Sequence, residues 1–261
     1  MKKIYPSFLI FLLFASNAYA QSATELNERA KTFIRQQDFS NAVPVLKQAA
    51  GLGSSESQYN LAICLLEGLG TPKNEKEASE WLLRSAQQNY VNAQFKLAYS
   101  YANGRGIEKD LTKAFSWFVK AAENEDDEAQ LIVAGMYKAG QGTERNLDQM
   151  LYWAKRLAKR KNPQDLRRSG RITSARYNLA LIYLKGEENI KPDLVESYKW
   201  LLLTNESKSD FSFLIQQEII NHVKELQTKL TKKQLDDAKK MAEEFLGSGL
   251  VNFANLLKED L

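Results

Sequence analysis

The 261-residue chain holds one cysteine, Cys64, and one histidine, His222. One thiol excludes an intramolecular disulfide, so stability must come from packing. One thiol and one imidazole exclude a Cys/His zinc site. A single histidine leaves only one candidate base for a catalytic triad, and no Gly-x-Ser-x-Gly turn exists for it to serve. No Walker-type phosphate loop is present. Beyond residue 20, no apolar run approaches the roughly 20 residues of a membrane-spanning helix, so no transmembrane segment is expected. Charge of one sign is not in excess: 36 basic and 32 acidic residues give a formal net charge of +4. The sequence therefore predicts no catalytic set, no metal and no cofactor. Cys64 reads as a buried small residue, and His222 as a structural or surface helix residue.

The first 20 residues differ from the rest. Lys2 and Lys3 precede an apolar run at Phe8–Ala15, and Ala18-Tyr19-Ala20 has the small-x-small form of a cleavage site. This pattern predicts a secretory signal peptide cleaved near Ala20, hence a periplasmic or secreted protein. No cysteine follows the cleavage site, which argues against a lipid anchor. Removing the leader takes away two lysines and no acid, so the net charge falls to +2.

What the chain does contain is a period. Gly68, Gly104 and Gly140 are 36 residues apart, as are Gly70, Gly106 and Gly142, and Trp81, Trp117 and Trp153. Leu61, Leu97 and Val133 keep the step, followed by Ala62, Ala98 and Ala134. A fixed period of roughly 20–50 residues marks a stacked solenoid. Each unit reads as two helices. The first carries an i, i+1, i+4 apolar stripe and ends at a Gly-x-Gly pair suited to a left-handed cap and turn. The second begins near Asn74, Asp110 or Asn146 and turns inward Ala78/Trp81/Leu82/Ala86, Ala114/Trp117/Phe118/Ala122 or Met150/Trp153/Ala154/Ala158. In this reading each indole packs in the interior opposite a small residue, so Trp117→Ala is expected to cost about 3–5 kcal/mol.

Ahead of the regular units, Gln21–Gln37 and Ala42–Ala50 read as a shorter hairpin, with Ser40 as helix cap. The pattern breaks at Lys161–Ile172, where Pro163 and Gly170 interrupt helical continuity. It resumes from Ala175 to Trp200 with the second glycine missing and a loop one residue longer. Phe211–Leu230 and Thr231–Phe245 read as closing helices, the second opened by a Thr231/Gln234 capping box. The predicted division is a signal peptide (1–20), an N-terminal capping hairpin (21–52), three repeats (53–161), a basic insertion (162–172), a fourth repeat (173–205), and capping helices with a tail (206–261). The fold class is all-α: a right-handed α-solenoid of stacked antiparallel helix pairs.

The unit spelled by Ala93–Ala122, A-x-x-x-L-A-x-x-Y-x-x-G-x-G-I-x-x-D-x-x-K-A-x-x-W-x-x-K-A-A, closely resembles the Sel-one-like repeat family, a branch of the tetratricopeptide-like solenoids. The resemblance runs over about Ser57–Leu203, and Leu230–Phe245 resembles the terminal helix that closes such arrays. It implies a protein-binding scaffold, not an enzyme. Exported members act in envelope regulation, polysaccharide export, host interaction or motility. Others are immunity proteins against secreted effectors such as phospholipases. A cysteine-paired branch has been ascribed β-lactam chemistry, and this chain lacks those cysteines.

By analogy with tetratricopeptide packing, first-helix positions two before and two after the shared leucine face a concave groove. They are Tyr59 and Ile63, Phe95 and Tyr99, Leu131 and Gly135, and Tyr177 and Leu181. Exposed aromatics of this kind anchor partner polypeptides. A second candidate is the basic run that includes Lys155, Arg156, Lys159, Arg160, Lys161, Arg167, Arg168, Arg171 and Arg176, opposed within the run only by Asp165. Such a run suits an acidic protein surface, lipid or glycan. Export argues against nucleic acid. The acidic turn Glu123–Glu128 reads as a solvated loop.

Overall fold

The computed structural model describes residues 22–160, 166–206 and 213–253. The predicted signal peptide, Lys161 and residues 254–261 lie outside these. The described residues form twelve α-helices and one isolated pair of bridged residues. The chain divides between Asn124 and Glu125 into two compact units.

The first unit contains α1 (22–35), α2 (Phe39–Gly51), α3 (Ser55–Glu67), α4 (Glu75–Gln87), α5 (Val91–Asn103) and α6 (Leu111–Glu123). Consecutive helices from α2 to α6 pack on one another. Leu61, Ala62, Leu82, Leu97 and Ala98 are fully buried. The small alanines let helices approach closely while leucines fill the space between them. Side-chain caps set the starts: Asn74 accepts from the Glu77 N–H, and Asp110 from the Lys113 N–H. At α2 the cap is Asp38, not Ser40: its carboxylate accepts from the Asn41 N–H at 3.2 Å and the Asn41 amide at 2.7 Å. The helix therefore starts at Phe39, and Ser40 lies exposed in its first turn.

The two glycines of each turn do different work. Gly68 and Gly104 are left-handed caps (φ 71°) whose N–H groups return to Cys64 and Ser100. The second glycine makes room for the preceding repeat. A Cβ on Gly106 would lie 2.0 Å from the Glu75 carbonyl oxygen, and one on Gly70 would lie 2.3 Å from that of Phe39. Between the glycines, Arg105 donates to the Glu75 carboxylate at 2.9 Å and the Leu66 carbonyl at 3.0 Å.

The second unit contains α7 (Asp127–Ala139), α8 (Leu147–Ala158), α9 (Leu166–Lys185), α10 (Leu194–Glu206), α11 (Phe213–Lys229) and α12 (Lys232–Leu246). Asp126 and Asn146 cap α7 and α8, and the Thr231/Gln234 capping box opens α12. The predicted break at Gly170 is not there: α9 runs through it. A mid-helix glycine costs only about 1 kcal/mol relative to alanine, and ion pairs made by Arg168 and Arg171 fasten this stretch. In the fourth repeat Glu187 and Ile190 exchange backbone hydrogen bonds at 2.9 and 2.8 Å, closing the longer loop. Glu187 pairs with Lys138 and Arg145, and Glu188 pairs with Arg145. Helices α11 and α12 both pack on α10. Beyond α12, the Glu206 carboxylate accepts the N–H groups of Val251 and Asn252, docking the chain as far as it is described.

Two of the four tryptophans correct the sequence reading. Trp153 and Trp200 are buried, at 4% and 3% exposure. Trp81 and Trp117 are only half-buried. Leu82 and Phe118, one residue on, fill the interior instead. The outer indole faces are covered by cations one turn away: Arg84 sits 4.6 Å from the Trp81 ring centroid and Lys120 sits 3.9 Å from that of Trp117.

Candidate functional site

The predicted groove positions separate into small clusters. In the first unit Tyr59 lies against Tyr90, with ring centroids 5.4 Å apart, and burial first, then the neighbouring phenol, pushes its hydroxyl pKa up. Phe95 packs edge-on against Phe118 at 5.5 Å and stacks on Tyr99 at 6.4 Å. Tyr99 itself is 52% exposed. Ile63 is half-buried on the neighbouring first helix.

In the second unit Leu131 and Leu181 line one cavity of about 270 Å³, together with Gly135, Met150, Ala154, Ala175 and Ile182. Lys138 and Asn178 are polar members of its lining. Tyr177 turns elsewhere: its hydroxyl donates to the Glu218 carboxylate of α11 at 2.9 Å. Burial, and then that carboxylate, push its pKa to about 12.

The basic segment is engaged within its own unit. Arg168 donates to Asp127 at 2.6 Å. Arg160 Nε lies 2.9 Å from the other Asp127 oxygen, an ion pair and not an aligned hydrogen bond. Arg160 also reaches the Glu125 carboxylate at 3.2 Å, while Arg156 and Arg171 lie 3.6 Å from Glu125 and Glu128. The acidic turn is thus the counter-charge of the basic run, and the Asp127 side chain is only 2% exposed. Lys161 and the side chain of Arg167 lie outside the described residues.

Arg176 is fully buried. Its guanidinium donates to the carbonyls of Ala158 (3.0 Å), Arg160 (3.0 Å) and Leu203 (3.1 Å), and it lies over the Phe245 ring at 5.7 Å. Burial lowers its pKa to about 10, so it stays protonated at neutral pH. The carbonyls near the ends of α8 and α10 carry the negative ends of the helix dipoles, which compensates the desolvated charge. The charge run concealed this role, yet the period contains the clue. Three residues before the shared leucine stand Gln58, Gln94, Gln130 and then Arg176. The first two are buried and donate to Ala50 and Ala86 carbonyls at 3.1 and 3.4 Å.

Cys64 is buried, and burial raises its thiol pKa. His222 Nδ1 lies 3.8 Å from Glu225. Among the described residues, no group of His, Cys, Asp and Glu could hold a metal ion, and no helix is long and apolar enough to cross a membrane.

A ladder of helix pairs with repeated glycine turns and junction amides defines an all-α repeat scaffold. A family model described as Sel1 repeat matches residues 55–90, 91–126, 127–162 and 173–206, more than half of the chain, and the chain belongs to the Sel1 repeat family. Its fold is similar to that of a Sel1 repeat protein from Oxalobacter formigenes, with 22% identity, 88% of each chain covered and a TM-score of 0.62. A protective antigen of uropathogenic Escherichia coli with an SLR fold shares 22% identity, with 95% of this chain and 60% of that one covered, at a TM-score of 0.44. Helicobacter pylori cysteine rich protein B shares 22% identity over 49% of this chain and 86% of its own, at 0.34. No curated protein matches the chain. The repeats form a scaffold suited to protein–protein interaction.

Proposed function

We propose that the protein is an exported scaffold that binds a protein partner through the first-helix face of its repeats and acts as an adaptor or regulator in the cell envelope. The carrying observation is Tyr99, a large aromatic half in solvent and stacked on Phe95. Aromatics bury large area at small entropic cost on binding, and a preformed face loses little freedom. The basic segment is the weaker candidate because its described arginines already face carboxylates or carbonyls. Export rests on the sequence of residues 1–20.

The test is a pull-down from a periplasmic extract with the mature protein, a Tyr59/Phe95/Tyr99 triple alanine variant and Arg171→Glu, each checked for helicity. One strong partner, lost with the triple variant and kept with Arg171→Glu, is expected. Retention by the triple variant, or loss with Arg171→Glu alone, overturns the assignment of the face. A lipase or other toxin as that partner would make the role neutralisation of an effector, which requires roughly nanomolar binding or tighter.

A further inference from the structure

Gly135 has no reason within the chain to be glycine. It lies inside α7, its backbone is not left-handed, and a Cβ added there would meet nothing within 4 Å. Glycine in a helix interior is unfavourable relative to alanine. Departures from local preference that the fold does not require concentrate at functional sites. The same repeat position carries Ile63, Tyr99 and Leu181 in the other units. At Gly135 the missing side chain opens onto the cavity of about 270 Å³ floored by Leu131, Met150, Leu181 and Ile182.

The size and lining limit what fits. A cavity of about 150 Å³ accepts a benzene ring, whereas sites for drug-sized ligands span roughly 300–1,000 Å³. This one suits a single large apolar side chain. Its only charged lining residue is a cation, Lys138, half-exposed while paired with Glu187 at 2.8 Å. Asn178, also in the lining, is exposed.

We propose that the Gly135 cavity is an anchoring pocket for one leucine-sized side chain of a partner polypeptide, with a carboxylate beside that residue meeting Lys138. This deepens, and rests on, the reading of the first-helix face as the partner-binding surface. The partner side chain then enters, as a knob, the hole that Gly135 leaves beside Leu131 and Leu181.

The full mature chain, methyl-labelled, is titrated with acetyl-Leu-Asp-amide, acetyl-Leu-Asn-amide and acetyl-Gly-Asp-amide and followed by NMR. Saturable shifts of the Met150, Leu131, Leu181 and Ile182 methyls with the Leu-Asp probe, and none with Gly-Asp, are expected. Gly135→Leu should abolish them without lowering the thermal midpoint. Lys138→Gln should reduce the preference for Leu-Asp over Leu-Asn by about 2–5-fold, the scale of a rim ion pair. No shifts at tens of millimolar probe, equal shifts with Gly-Asp, or shifts that survive Gly135→Leu overturn the pocket. If the Leu-Asp shifts are lost with Gly135→Leu while the pull-down fails, the pocket stands and the wider face assignment falls. If a pulled-down partner is lost with the triple alanine variant but kept by Gly135→Leu, the face stands and the pocket falls.

Discussion

At one position of the repeat the first unit places Gln58 and Gln94, and the second places Gln130 and then Arg176. Gln58, Gln94 and Arg176 are buried, and all three donate to the last alanine of a preceding helix. The difference lies in how many carbonyls converge. At Gln58 and Gln94, the amide donates to one helix-end carbonyl and its oxygen accepts from Gln88 or Asn124. Beside Arg176, carbonyls from Ala158, Arg160 and Leu203 point at one spot. An amide has two N–H donors and a guanidinium five in a fixed fork. The buried charge is thus the answer to a donor shortage, and one register accommodates two chemistries.

That comparison is broken most forcefully at Arg176. Arg176→Ala leaves three buried acceptors without their charged donor and should destabilise by at least about 4 kcal/mol, whereas Gln58→Ala should cost about 1–2 kcal/mol. Urea midpoints measure both, and equal losses would remove the distinction. Next come the tryptophans. Trp153→Ala should cost about 3–5 kcal/mol as a core truncation. Trp117→Ala should cost about 1–2 kcal/mol, from half the burial and an exposed cation–π contact. A loss at Trp117 matching that at Trp153 would put its indole in the core after all.

The glycines sharpen the contrast at intermediate size. Gly106→Ala forces a left-handed alanine against the Glu75 carbonyl and should cost about 2–3 kcal/mol. Gly135→Ala meets neither obstacle and should stabilise by about 0.4–1 kcal/mol, so thermal melts should move in opposite directions. The smallest effect is at Tyr177. Its pKa is raised to about 12 from the usual 10, so the neutral phenol is the form the fold favours. Its contribution is present below pH 10 and is lost as pH rises from 10 to 12. Tyr177→Phe should remove that alkaline sensitivity from the urea midpoint and lower neutral stability by only about 0.5–1 kcal/mol, the loss of the hydrogen bond to Glu218.

Much of this architecture was legible in the residues. Asn74, Asp110 and Asn146 cap helices where the period placed them, and Thr231 opens α12. Those features are local, set within four residues. What escaped reading is non-local. Arg168 meets Asp127 across 41 residues, and neither knows of the other until repeats stack. Hence the acidic turn, which by itself reads as a solvated loop, and the basic run, which reads as a site for an acidic partner surface, are each other's partners. Trp153 is interior as the period reads it, but Trp81 and Trp117 are not, because the period fixes which face of a helix a residue occupies, not how far toward its edge. Of the positions offered for a groove, the chain uses Tyr177 itself, bonded to Glu218 of α11, and the period gives no sign of that.

The chain contains four tryptophans, two in each unit, and their unequal burial has an optical consequence. Trp81 and Trp117 sit half in solvent beneath cations, while Trp153 and Trp200 are shielded. Emission from the first pair should lie to the red and be open to a dissolved quencher, and emission from the second should lie to the blue and be protected. The protein therefore carries a native two-colour reporter, in which loss of the blue, protected component marks opening of the second unit without any added label.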